Sequence, residues 1–137
     1  MDRPELGFLL SRLTREVMAR EKPILDAAGL EMWDYAVLTA LAESAVPTQA
    51  QLAVATGRDK TRLIGNLDRL EAAGMVAREP DPADRRNRIV SLTDTGSQVL
   101  QSCRAAIAAM EAELLEDLDP ADRTAFERAL TMLAGAR

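Results

Sequence analysis

The sequence predicts a mainly α fold interrupted by one small β-hairpin, and three observations carry that expectation. Apolar residues recur at helical spacing through most of the chain, as in Leu6, Leu9, Leu10, Leu13 and Val17. Aromatic residues make up only 3% of the composition, whereas Ala, Leu, Arg and Glu, all good helix formers, dominate it. Period-two alternation is confined to two short segments, "MVAREP" and "RNRIVSL", separated by a stretch rich in Pro and Asp.

The first helix spans residues 5–28, with Ile24 and Leu25 completing its apolar stripe. Pro23 predicts a kink or pause near Lys22, because proline removes a donor and crowds the preceding turn; Gly29 then ends the helix. "EMWDYAVLTALAES" repeats the pattern with Trp33, Ala36, Val37, Ala40 and Leu41, and runs to a turn at 45–47. Thr48 and Gln51 have capping-box spacing and open a short third helix, "TQAQLAVAT", that stops at Gly57. Asp59 is placed to cap a fourth helix, with Leu63, Ile64, Leu67 and Leu70 on one face and Gly74 closing it. The hairpin follows, led by Met75 and Val76 in one strand and by Ile89, Val90 and Leu92 in the other, with Pro80, Pro82 and the aspartates at its tip. Thr93 and Asp94 then cap a fifth helix reaching about residue 118, on which Val99, Leu100, Cys103, Ile107, Met110, Leu114 and Leu115 are apolar. Asp119 and Pro120 open a sixth, ending near Leu133 before Gly135.

At 137 residues the chain fits a single domain. Its N-terminus, "MDRPELGFLLSRLTREVMAREK", carries charges every few residues, so neither a signal peptide nor a membrane span is expected, and the protein reads as cytoplasmic. One cysteine, Cys103, precludes an internal disulfide; its place on an apolar stripe suits an inert buried thiol. The absence of histidine removes the commonest neutral-pH base and metal ligand, and there is no Gly-rich phosphate loop. No metal or cofactor is expected, and an enzyme is the least supported class. The acidic run "EAELLEDLD" reads as a solvated helix face.

The net charge of −5 conceals an asymmetry. Residues 1–57 carry 5 basic and 8 acidic side chains (−3), residues 58–88 carry 8 and 6 (+2), and residues 89–137 carry 4 and 8 (−4). The only positive segment is the fourth helix with the hairpin, and an acidic protein can bind a polyanion there because phosphate attraction acts within a Debye length of about 10 Å. Helices three and four, joined by a tight turn and followed by a hairpin, have the layout of a winged helix-turn-helix, in which the fourth helix enters a major groove. Opposite its leucines that helix carries Lys60, Thr61, Arg62, Gly65, Asn66 and Arg69. Arg can take guanine and Asn adenine in bidentate fashion, each worth about 1–3 kcal/mol of discrimination, and Gly65 would permit close approach. A winged helix used for protein contact, without an operator, is the alternative from another class.

The run "LAVATGRDKTRLIGNLDRLEAAGMVAREPDPADRRNRIVSLTDTG" resembles the core of the MarR family of bacterial transcriptional regulators, through "LDRLEAAGMV", "DPADRR" and "LTDTG". The resemblance implies a winged helix-turn-helix lobe over residues 30–92 and a helical dimerisation lobe from 1–29 and 93–137. It also implies a homodimer on a pseudo-palindromic double-stranded DNA operator, reading as a repressor relieved by a small-molecule effector. Asp84 and Arg86 match the wing's Asp-x-Arg, the aspartate ordering the loop and the arginine entering the minor groove, with Arg85 and Arg88 beside them. Ile64 and Gly65 depart from the Thr or Ser followed by Arg that is frequent in the family. The family's effector crevice would fall near Trp33 and Tyr35, with Arg12 as a candidate partner for an anionic ligand; Arg15 and Arg20 lie on the same helix, and Trp33 also fits a plain core position.

Overall fold

Six helices and one hairpin succeed one another in a computed structural model that describes residues 2–44 and 47–135. They are α1 (Leu6–Ala27), α2 (Met32–Glu43), α3 (Gln49–Thr56), α4 (Lys60–Ala72), β1 (Val76–Pro80), β2 (Arg88–Leu92), α5 (Asp94–Leu114) and α6 (Pro120–Leu133). Two positions of the turn expected at 45–47, namely 45 and 46, lie outside the described residues.

Local chemistry sets most boundaries. Thr48 and Gln51 form the reciprocal capping box of α3, while Asp59, Thr93 and Asp119 accept the N–H of Arg62, Gly96 and Asp122 to cap α4, α5 and α6. Gly29, at φ 72°, closes α1 through Leu30 N–H to the Leu25 carbonyl at 2.9 Å. Two boundaries differ from those expected. α1 runs through Pro23 with no pause near Lys22; Ala19, whose carbonyl loses its partner, is exposed, so water can replace the missing donor. α5 stops at Leu114 rather than near 118, where Glu111, Glu113, Glu116 and Asp117 crowd the negative end of the helix dipole, and residues 115–118 turn instead, with Leu118 N–H on the Leu115 carbonyl.

The core gathers Val37 and Leu38 of α2, Leu52 of α3, Leu63 and Leu67 of α4, Val90 of β2 and Leu100 of α5, all at 1% exposure or less. Each such burial is worth roughly 1.5–3 kcal/mol. The hairpin pairs Val76 with Leu92 through to Pro80 with Arg88. It is attached on one side by Val90 N–H to the Pro47 carbonyl, 2.9 Å. On the other side the start of α5 is fastened to the α4–β1 turn: Thr93 donates from its N–H to the Met75 carbonyl (3.1 Å) and from its hydroxyl to that of Gly74 (2.6 Å). Gly96 is required at this junction, because a Cβ there would stand 2.0 Å from the Met75 oxygen.

The outer helices are less covered. α6 has no buried residue, and Leu130, Met132 and Leu133 are exposed together with Leu6, Phe8, Leu9 and Leu10 of α1. No helix of the described residues is long and apolar enough to cross a membrane.

Candidate nucleic-acid interface

The left-handed Gly57 (φ 70°) turns the chain sharply from α3 into α4, and the Asp59 carboxylate then fixes the first turn of α4. That turn presents Lys60, Thr61 and Arg62 to solvent, followed by the exposed Gly65. Arg62, 74% exposed, lies 3.4 Å from Asp59.

Asn66 is a correction to the expected outward face, whereas Arg69 keeps an exposed side chain. Asn66 is 1% exposed and fully engaged: its Oδ1 accepts from Arg58 Nε (3.0 Å), and its Nδ2 donates to Asp34 Oδ1 (2.7 Å) and Glu31 Oε1 (3.3 Å). It falls on the stripe of Leu63, Leu67 and Leu70, so burial there requires this full set of partners. Arg69 reaches back to the same acids, with Nη1 3.0 Å from Asp34 Oδ2 and Nη2 bonded to Glu31. Asp34, 1% exposed, also accepts the Glu31 N–H (2.9 Å), so one carboxylate both caps α2 and anchors α4. Asp34 and Arg58 were missed from sequence; the Glu31-x-x-Asp34 capping-box spacing was the available signal.

A second anchor was also missed. The Arg78 side chain, only 11% exposed, spans from β1 to Asp68 (2.6 Å) and Glu71 (3.0 Å) of α4 and to Gln49 of α3 (3.4 Å). The hydrogen bond from Arg78 holds the Glu71 carboxyl below its ordinary pKa.

At the hairpin tip the aspartates organise the backbone. Asp81 Oδ1 accepts the Ala83 N–H (2.9 Å), Asp84 Oδ1 accepts the Arg86 N–H (3.1 Å), and Asp84 Oδ2 faces Asn87 Nδ2 at 3.4 Å. Arg86 Nε stays 3.6 Å from Asp84 with the side chain 94% exposed, and Arg85 and Arg88 are exposed too. The structure therefore gathers Asp84, Arg85 and Arg86 on one loop, with Asp84 shaping it and Arg88 beside it at the start of β2.

The candidate effector residues separate. Arg12 sits above the Phe8 ring at 6.0 Å and lines an open cleft with Leu9, Leu13, Arg15 and Leu114; neither Trp33 nor Tyr35 lines it. Trp33 is not a core residue either: it is 36% exposed, with the Arg58 guanidinium 4.7 Å from its ring centre. Tyr35 is partly buried against the core. Cys103 is buried, which pushes its thiol pKa up.

Comparison with known proteins agrees with this architecture. A family model described as "MarR family" matches residues 28–87. The transcriptional regulator HosA of Escherichia coli O111:H- is 32% identical over 102 residues, which cover 74% of this chain and 76% of HosA. The transcriptional repressor NicR of Pseudomonas putida is 38% identical over 68 residues, half of this chain; the match spans 43% of NicR. Among solved structures, the repressor CouR bound to a 23-mer DNA duplex superposes with a TM-score of 0.82 at 28% identity, covering 95% of this chain and 92% of that one. CouR from Rhodococcus jostii RHA1 has also been solved with p-coumaroyl-CoA, with a TM-score of 0.75 at 27% identity over 95% of this chain and 91% of that one.

Proposed function

Because the chain belongs to the MarR family of transcriptional regulators, we propose that it acts in the cytoplasm as a homodimeric repressor that binds a pseudo-palindromic double-stranded DNA operator and releases it when a small molecule binds. The observation that carries the DNA-binding part is the exposed cationic set left after the internal pairs are satisfied: Lys60 and Arg62 at the start of α4, and Arg85, Arg86 and Arg88 at the wing tip. With a net charge of −5 on the whole chain, attraction to DNA is confined to that set, and the acidic remainder orients the approach. In this reading Thr61, Arg62 and Gly65 meet base edges, Lys60 meets phosphate, and Arg86 enters the minor groove with Arg85 and Arg88 on the backbone. Asn66 and Arg69 hold α4 instead of reading bases.

The dimer is supported by the uncovered apolar residues of α1 and α6, which a second copy would cover, giving lobes over 30–92 and over 1–29 with 93–137. Two α4 helices would then enter grooves about one helical turn apart, roughly 34 Å. CouR, solved once with DNA and once with an acyl-CoA, supports an effector-relieved repressor. Titration of the protein against duplex from its own upstream region at two salt concentrations tests the reading. A shifted, salt-sensitive complex of two chains per site is expected; salt-insensitive or absent binding rejects it.

A further inference from the structure

The second half of α1 and the start of α2 enclose a hollow of about 380 Å³, within the range of small-molecule pockets. Its floor is apolar, formed by Met18, Leu25, Leu30 and Met32. Its rim is acidic: Glu21, Asp26 and Glu31 face a single cation, Lys22, whose Nζ is already bound to Asp26 at 2.8 Å. Burial, with Glu111 nearby, pushes the Glu21 pKa up.

Glu31 belongs to two arrangements at once. It lines the hollow, and its Oε1 accepts from Arg69 and Asn66 of α4. We propose that this hollow binds a small amphipathic cation, an ammonium group on an apolar body, which competes with Arg69 and Asn66 for the Glu31 carboxylate and so loosens α4 from α2. The proposal rests on the effector-relieved repressor reading and names the ligand class, the site and the residue that couples it to DNA. The apolar floor takes the ligand body by area burial; Lys22 answers Asp26 and Arg69 answers Glu31, which leaves the Glu21 carboxylate to select a cationic head. Coupling is reciprocal, so operator binding weakens the cation by the same factor.

Benzyltrimethylammonium and benzylsulfonate, close in shape and opposite in charge, are titrated by calorimetry into the full-length protein, free and with operator duplex. The cation is expected to bind, the anion is not, and a saturating cation lowers operator affinity about tenfold. Glu21→Gln should weaken the cation about tenfold and leave ligand-free operator binding unchanged. Glu31→Gln should remove the coupling between the two ligands. Ala19→Phe, which fills the hollow from an exposed position, should abolish cation binding only. Equal binding of the sulfonate, or no binding of either probe to protein that still holds its operator, overturns the proposal. Dissociation of the dimer by Ala19→Phe, read by light scattering, also overturns it and makes a second copy the occupant. Failure to bind duplex in the absence of any probe rejects the repressor reading itself, and is seen separately from cation binding by the free protein.

Discussion

Helix α4 and the wing tip both carry basic and polar side chains in the one positive segment, yet they hold them in opposite ways. In α4, Asn66 turns inward to Asp34 and Glu31, and the half-exposed Arg69 is bonded to the same two acids. At the tip, aspartates bind the backbone and leave Arg86 94% exposed. Of the eight basic residues between 58 and 88, Arg58, Arg69 and Arg78 bond to neighbouring side chains. Counting arginines therefore overstates the charge available to DNA. One region is built for a fixed orientation and the other for reach.

The strongest way to break this contrast is Asp34→Ala. It leaves Asn66 buried without its shortest partner and removes the bidentate acid of Arg69, so a loss of about 3 kcal/mol in urea unfolding is expected, along with loss of operator binding. Stability within about 0.5 kcal/mol of the parent would mean that α4 is held by its leucines alone. Arg86→Ala is the opposite case. Its side chain is 94% exposed and its one ion pair among the described residues, to Asp84, is long, so folding is expected to be unchanged while affinity falls about tenfold at every sequence and the salt slope drops by about one. Unchanged affinity would remove the wing from the interface.

Most element boundaries were legible because their causes are local: Thr48 with Gln51, Asp59, and Asp119 with Pro120 each lie within one turn of the helix they begin. The burial of Asn66 was harder to read. Its spacing from Leu63 and Leu70 puts it on the leucine stripe, but a polar residue there is tolerable because Asp34, Glu31 and Arg58, distant or on another element, supply its partners. Arg78 presents the same difficulty, since Gln49 reaches it from 29 positions away. The wing tip could be read because its Asx contacts span two or three residues. Trp33 misled for a different reason: it has apolar spacing, but the half-buried Arg58 supplies a stacking partner that no periodicity encodes.

Gly65 sharpens the contrast from within α4. It sits mid-helix and exposed, and a Cβ added there would meet nothing within 4 Å, so no packing in the free protein explains it. Gly65→Ala is expected to raise stability by about 0.5–1 kcal/mol and to weaken operator binding, because the added methyl group keeps the groove floor at a distance. A stabilised variant with unchanged affinity would place the base contacts entirely in the first turn.

The smallest expected effect concerns Arg78, the one wing arginine that behaves like α4. Its hydrogen bond keeps the Glu71 carboxyl below its ordinary pKa in the folded protein. A depressed folded value means that the pair contributes stability fully above the unfolded carboxyl pKa of about 4.3 and loses that contribution as pH falls through the folded value. Glu71→Gln should therefore lower stability slightly at neutral pH and flatten its fall below about pH 4.3, as urea midpoints across that range would reveal. Asp68, on the same guanidinium at 2.6 Å, remains as a partner, which keeps the change small and the hairpin in place. A parent and a variant with parallel acid profiles would show that Asp68 and Gln49 fix the base of the wing without Glu71.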